Sequence, residues 1–232
     1  MPWTITASNG IYLPQIDWHL DAKLPVKRSF VSHAHADHIA PHETVLCSAG
    51  TARLMAARME GERHEIILPF GVEHALEDGT RVTLHPAGHI FGSAQFLARH
   101  DERGALLYTG DFKLRAGASA ESCATPHADV LIMETTFGRP HYVFPPTAEV
   151  LESIIRFCRN ALDDGEVPIL FGYSLGKSQE LLGGLAGAGL PIALHPQTYK
   201  MTRLYESMGV AFPAFVKCDP EHAAGRPAAE SP

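Results

Sequence analysis

His33-Ala34-His35-Ala36-Asp37-His38 places three imidazoles and a carboxylate within six residues, directly after the run Phe30-Val31-Ser32. Imidazole and carboxylate are the ligand types that hold zinc and similar divalent ions in hydrolytic sites. In an extended segment side chains alternate faces, so His33, His35 and Asp37 are expected to point the same way. A helix starting just afterwards would swing His38 to the same mouth. Such a cluster can feed two adjacent metals about 3.5–4 Å apart. The ordinary alternatives for a His-rich tract are an adventitious binder or a tag. This one is internal, follows a strand-like run and carries its aspartate at one fixed place.

The chain has 232 residues, enough for one large domain or two small ones. Apolar residues make up 45% and charged residues 19%, which is ordinary for a globular protein with a real core. The net charge of −7 argues against a broad basic nucleic-acid surface. It leaves a phosphodiester substrate open, because bound dications supply positive charge locally. Cys47, Cys123, Cys158 and Cys218 are far apart and form no C-x-x-C pair, so a cysteine zinc site is not expected. No signal-peptide pattern or membrane-length apolar run is present, and a cytoplasmic protein with reduced thiols is the expectation.

Working outward from the cluster, the first part of the chain reads as short strands. Residues 4–6 and 10–13 suit a hairpin through Ser8-Asn9-Gly10, and residues 28–32 a buried strand ending at the histidines. Residues 44–47 form another strand, after which Ser48 suits the N-cap of a helix ended by Gly61. Residues 81–85, 94–98 and 105–109 alternate as strands do. Val130-Leu131-Ile132-Met133 is continuously apolar, as in a strand buried on both faces. After Gly138-Arg139-Pro140, helices are expected over 147–162, 176–185 and 196–208, with strands at 167–171 and 190–194. That alternation argues for a small parallel α/β unit. The expected domains are 1–140, 141–218 and a disordered tail over 219–232.

Two further segments carry chemistry. His89 sits in the Gly-flanked loop Pro86-Ala87-Gly88-His89-Ile90-Phe91-Gly92-Ser93 after a predicted strand, and is the obvious third imidazole. Asp111 ends the strand-like Tyr108-Thr109-Gly110-Asp111, well placed to bridge two metals. Asp21, just before the strand that leads into the cluster, is expected to orient a ligand rather than to be one. Gly172-Tyr173-Ser174-Leu175-Gly176 matches the G-x-S-x-G nucleophile elbow but lacks a well-placed acid before His195. Gly176-Lys177-Ser178 misses the P-loop pattern by one residue. Lys177 at a helix start is nonetheless expected to contact a nucleic-acid phosphate.

The order Asp21, His33-x-His35-x-Asp37-His38, His89, Asp111 resembles the metallo-β-lactamase fold. Met133-Glu134-Thr135-Thr136-Phe137-Gly138 narrows the resemblance to the β-CASP nucleases. Residues 86–96 and 171–177 are similar to the bacterial DNA ligase-associated exonucleases, and the family also includes mRNA 3′-end processing factors. The resemblance spans residues 10 to 213. It implies an α/β fold: a metallo-β-lactamase-like αββα sandwich, short of its C-terminal part, followed by a β-CASP-like parallel α/β unit. It further implies that His33, His35 and His89 hold one metal, that Asp37 and His38 help hold a second, and that Asp111 bridges both. Glu134 matches the first β-CASP acidic position. His195 matches a histidine near the scissile phosphate, whose tautomer Glu134 could fix.

Family members return to the sandwich after the α/β unit and gain one more histidine for the second metal. Here the sequence stops soon after His195, and the later His222 resembles nothing in that final motif. The resemblance implies two divalent metals, zinc favoured and manganese the alternative, with the second site one ligand short; a truncated product, completion by another subunit, and a reduced form with one tight and one weak metal are the three readings of that shortage. The expected function is metal-dependent hydrolysis of DNA or RNA, by exonuclease action. The alternatives are a small ester or thioester hydrolase and a catalytically impaired, truncated remnant that binds metal or nucleic acid. The expected partners are DNA or RNA and a DNA ligase or helicase repair system, with self-association an option and no membrane.

Overall fold

The computed structural model describes residues 2–219. His222 and all but the first residue of the expected tail lie outside the described residues. The chain divides into two compact units, one ending at Thr136 and one beginning at Phe137.

The first unit opens with β1 (Thr6–Ala7), β2 (Ile11–Leu13), β3 (Trp18–Leu20), β4 (Arg28–Phe30), β5 (Thr44–Cys47), α1 (Ala49–Ala56) and β6 (His64–Ile67). These strands form a six-stranded sheet in chain order, β1-β2-β3-β4-β5-β6. The first three pair antiparallel and β3 through β6 pair parallel. Next come β7 (Glu73–Ala75), β8 (Arg81–Pro86), β9 (Ala94–His100), β10 (Gly104–Tyr108) and β11 (Val130–Ile132). They form a second sheet, ordered β11-β10-β9-β8-β7 and antiparallel except for the β10–β11 pair.

Alternation along the strands gives each sheet one apolar face, and the two faces meet. Leu13, Leu20, Phe30 and Leu46 of the first sheet share one core with Val82, Leu84, Phe96 and Leu106 of the second. All eight are fully buried. Burial of side chains this size stabilises the fold by about 1.5–3 kcal/mol each. The outer face of the second sheet holds a smaller cluster of Leu97, Ala105 and Leu107 with Ala128. Helix α1 begins as expected: the Ser48 hydroxyl accepts from the Thr51 amide. It ends at Ala56, earlier than Gly61. Among the described residues it is this unit's single helix, and the unit is of mixed α/β class.

The second unit contains α2 (Thr147–Asp163), α3 (Lys177–Gly184), β12 (Ala193–Leu194), α4 (Pro196–Glu206) and β13 (Val216–Lys217). β12 and β13 pair parallel. Cys158, Leu175, Leu182, Met201 and Tyr205 are buried.

Three expectations are corrected. Val130-Leu131-Ile132-Met133 is not buried on both faces: β11 is a sheet-edge strand, and Leu131 is 55% exposed. Continuous apolarity could not reveal that the strand has a neighbour on one side only. Residues 167–171 form no strand, because no ladder partner pairs with them, and Val167, Ile169 and Phe171 are exposed. The histidine cluster does not run into a helix. A turn over residues 36–38 follows, with the His38 amide donating to the His35 carbonyl at 3.1 Å.

Candidate metal centre

The site assembles at strand ends of the sandwich unit. Asp21 follows β3, His33 to His38 follow β4, His89 follows β8, Asp111 follows β10 and Glu134 follows β11. Loops at strand ends are a common place for ligands, because the scaffold beneath them is rigid.

Four side chains converge. One ligand atom from each of His33, His35, His89 and Asp111 lies within 4.8 Å of the others. His33 Nε2 is 2.9 Å from His35 Nδ1, which is 3.2 Å from His89 Nε2. Asp111 Oδ2 is 3.8 Å from His33 Nε2 and 3.7 Å from His89 Nε2. Ligands bound tetrahedrally about 2.0–2.1 Å from one ion stand about 3.3–3.4 Å apart. The donor set and its spacing therefore fit a divalent metal.

The other two predicted ligands flank this group. His38 Nε2 lies 3.6 Å from both Asp111 Oδ1 and Asp37 Oδ2. Asp37 is the outermost, with its side chain 74% exposed. Asp111 thus turns one oxygen toward His33 and His89 and the other toward His38.

Behind the ligands, Asp21 is buried and takes a left-handed backbone conformation, φ 51°. Its Oδ1 accepts from the Ser32 amide at 2.7 Å. Its Oδ2 accepts from the Ser32 hydroxyl at 2.6 Å and the Tyr108 hydroxyl at 2.8 Å, and lies 3.0 Å from His38 Nδ1. A carboxylate only accepts, so His38 carries a proton on Nδ1, and in its neutral form turns the Nε2 lone pair to the site. Ser32 Oγ, whose one proton goes to Asp21, must accept from His33 Nδ1 at 2.9 Å. His33 Nε2 is then also a free lone pair. These bonds place Asp21 next to two of the candidate ligands. Ser32 and Tyr108 were not assigned an orienting role. The available signal was a hydroxyl at the end of each of two apolar runs that lead into ligands.

The loop carrying His89 is pinned from below. Ser93 Oγ accepts from the His89 and Ile90 amides at 3.1 and 3.2 Å. The Thr51 hydroxyl of α1 donates to the Gly92 carbonyl at 2.9 Å. Gly92 sits at φ 75°, and an added Cβ would meet the Gly50 Cα at 2.7 Å.

The electrostatics suit ligation. Burial, reinforced by the neighbouring imidazoles, holds His33 well below the usual histidine range. Burial, with His35 and His38, lowers His89 to about 4. Both are neutral at neutral pH, as ligands must be. Burial would also depress His38, but Asp21, Asp111 and Asp37 outweigh it and raise its pKa. Asp111 is raised by burial and, against the pull of His38, by Glu134, Asp21 and Asp37. Such a gathering of carboxylates is eased by a bound cation.

Glu134 closes the first unit, its Oε2 accepting from the Thr136 amide at 2.8 Å. His195 and Lys177 belong to the second unit. His195 is the exposed N-cap of α4, where its Nδ1 accepts from the Gln197 amide at 3.3 Å. Lys177 is the exposed first residue of α3. The amides beside it are used internally: Gly176 donates to Gln179 Oε1 and Ser178 to the Tyr173 carbonyl. That leaves the Lys177 side chain, rather than the helix end, to carry the phosphate expectation. The four cysteines form no disulfide. No helix among the described residues is long and apolar enough to cross a membrane.

No profile of a known protein family matches the chain. A protein of Opitutus terrae named "Probable DNA ligase" is 64% identical over 219 residues, covering 94% of this chain and 22% of that protein. The 5′ exonuclease Apollo of Gallus gallus is 30% identical over 185 residues, covering 76% of this chain and 40% of that protein. The chain thus spans less than half the length of these relatives. Among solved structures, a protein of unknown function from Enterococcus faecalis V583 superposes with a TM-score of 0.56 at 16% identity, covering 82% of this chain and 51% of that one. This last likeness concerns the fold alone. Over the residues it shares with its sequence relatives, the chain belongs to the β-CASP metallo-β-lactamase family.

Proposed function

We propose that the chain is the metal-dependent nuclease part of a DNA-processing protein, with a metallo-β-lactamase-like sandwich carrying the site and a β-CASP-like unit following it. The observation that carries this reading is the convergence of His33, His35, His89 and Asp111, with His38 and Asp37 on the other side of Asp111. His33, His35, His89 and Asp111 would hold one divalent metal, with zinc favoured and manganese the alternative. Asp37, His38 and Asp111 would hold a second, weaker one. Bound there, such metals lower the pKa of water to supply a nucleophile and offset charge on a phosphoryl group.

The chain's own residues divide the remaining work. Asp21 and Ser32 keep the tautomers of His38 and His33 that present Nε2 to the site. Asp111 holds the two ligand groups together. His195 accepts at Nδ1, so in its neutral form the proton sits on Nε2 and is available to a phosphate oxygen or leaving group. The neutral ring has no second proton for a carboxylate, so the Gln197 amide rather than Glu134 sets this tautomer, and Lys177 is assigned to contact a backbone phosphate. DNA is the favoured substrate and exonuclease action the favoured mode. The Apollo relative is named a 5′ exonuclease and the Opitutus relative a "Probable DNA ligase". A repair complex containing ligase is the matching context.

The test pairs elemental analysis with end-labelled single-stranded DNA and RNA incubated with zinc or manganese. The reading requires metal bound to the purified chain and strand shortening that EDTA abolishes and His89→Ala removes. Bound metal with no cleavage of either strand would overturn the nuclease assignment while leaving the metal centre standing.

A further inference from the structure

The second unit begins with an aromatic cluster that the proposed chemistry does not use. Phe137, Tyr142 and Phe144 are 60%, 42% and 51% exposed. The Phe137 ring stands edge-on to both Tyr142 and Phe144, with each pair of centroids 5.2 Å apart. Tyr142 and Phe144 are nearly parallel, at 12° with centroids 6.2 Å apart. His141 lies against Tyr142 at 4.2 Å. Turn bonds from the Tyr142 amide to the Arg139 carbonyl and from the Val143 amide to the His141 carbonyl hold the segment that carries them. Three large rings packed on one another yet open to water are unusual for a surface, since each leaves apolar area unburied.

The composition of the segment that carries the rings bears on the occupant. The chain carries 26 acidic residues, yet residues 135–148 contain none, and Arg139 and His141 are that stretch's basic side chains. Both are exposed. Exposed rings on a stretch of chain that bears an arginine and no carboxylate between Glu134 and Glu149 suit the flat faces of nucleobases beside a phosphate backbone. The segment starts three residues after Glu134 in the sequence.

We propose that Phe137, Tyr142 and Phe144 stack on unpaired bases of the nucleic-acid strand. This rests on the nuclease reading and adds to it that the strand is held through its bases and not only its phosphates. A duplex hides its base faces, so the preferred ligand is single-stranded.

The test is equilibrium binding of the full chain, in EDTA so that no cleavage occurs, to three fluorescent oligonucleotides: single-stranded DNA, the same length with abasic linkers, and a blunt duplex. Single-stranded DNA is expected to bind most tightly. Phe144→Ala and Phe137→Ala should each weaken it by roughly 5- to 150-fold, the range for losing one stacked base. Tyr142→Trp should keep the affinity, and none of these variants should alter binding to the abasic strand. Circular dichroism and thermal melting confirm that the variants fold. Equal affinity of the wild-type chain for normal and abasic strands overturns the proposal, as does absence of binding to any strand. So do alanine variants that change the sedimentation of the chain without changing strand binding, which would make the patch a contact between copies. Cleavage with metal, measured separately, decides the nuclease reading independently of these outcomes.

Discussion

Asp21 grips Ser32 with both carboxylate oxygens, Oδ1 on its amide at 2.7 Å and Oδ2 on its hydroxyl at 2.6 Å. This pair joins the end of β3 to the segment after β4 and sets the proton positions of the adjoining ligands. Through Ser32 it fixes His33. Through Oδ2 it fixes His38 and collects the Tyr108 hydroxyl from the other sheet. Outer partners of this kind orient ligands and tune their basicity.

Asp21→Ala should therefore damage stability and metal affinity together. The Ser32 amide, the Tyr108 hydroxyl and His38 Nδ1 would each lose an acceptor, at about 1–3 kcal/mol per buried donor left unpaired. Urea denaturation in chelator should show a total loss of several kcal/mol. Ser32→Ala is the milder probe. It should cost about 10- to 100-fold in zinc affinity by chelator competition. It should also release the His33 proton from Nδ1, visible in imidazole nitrogen chemical shifts. An unchanged His33 tautomer in Ser32→Ala would remove the case for Ser32 as a positioning residue.

Gly110→Ala tests how closely the two sheets approach at the site. Gly110 lies at φ 55°, and an added Cβ would meet the Ser32 Cβ at 2.5 Å, a distance real structures do not tolerate. The left-handed conformation alone costs a non-glycine residue about 1–2 kcal/mol. The overlap pushes Asp111 and Ser32 apart as well. A melt by calorimetry should show a lower Tm, and chelator competition a loss of metal affinity exceeding that of Gly79→Ala, where an added Cβ meets nothing within 4 Å. Equal effects of the two substitutions on metal affinity would show that the approach at Gly110 does not shape the site.

Much of the candidate site was legible in the sequence because its candidate ligands sit where periodic strands stop. His33, His89 and Asp111 each follow an apolar or alternating run, and the end of a strand is predictable from pattern alone. Ser32 and Tyr108 escaped because a hydroxyl gains its role only from a partner brought near by folding. Tyr108 is 87 residues from the carboxylate it serves. The exposure of Leu131 in β11 has a related cause: apolarity is local, whereas burial depends on what folding packs against each face. Residues 167–171 show the same limit, since a strand requires a ladder partner that no single segment encodes.

The depressed histidines make stability depend on pH in a definite direction. Unfolded, an imidazole takes up a proton near 6.5, whereas folded His89 resists protonation until about 4. Between these values the unfolded chain binds more protons, so stability rises with pH and is lost as pH falls through the window. His33 acts in the same sense. His38, raised by its carboxylates, acts oppositely: its contribution is complete below 6.5 and is lost as pH rises through its folded value. Each depressed imidazole contributes a slope of up to about 1.4 kcal/mol per pH unit. Urea midpoints of the chelated protein should fall from pH 6.5 toward pH 4, and His89→Gln should flatten part of that fall. A wild-type curve with no fall in that range would contradict burial as the controlling cause.

Asp111 and Asp37 are predicted to differ sharply in consequence although both are ligand-type carboxylates beside His38. Asp111 Oδ2 faces His33 and His89, while Oδ1 faces His38. Asp37 approaches His38 alone and is 74% exposed. Replacing the first with asparagine removes charge from both ligand groups, whereas replacing the second touches one. In zinc titrations against a chromophoric chelator, Asp111→Asn should weaken the tighter event by about 10-fold or more, by analogy with losses at supporting positions. Asp37→Asn should leave that event unchanged and weaken only a second one. If Asp37→Asn weakened the tighter event as much as Asp111→Asn, Asp37 would belong to the same ligand group as His33 and His89, and the assignment of two unequal seats would fail.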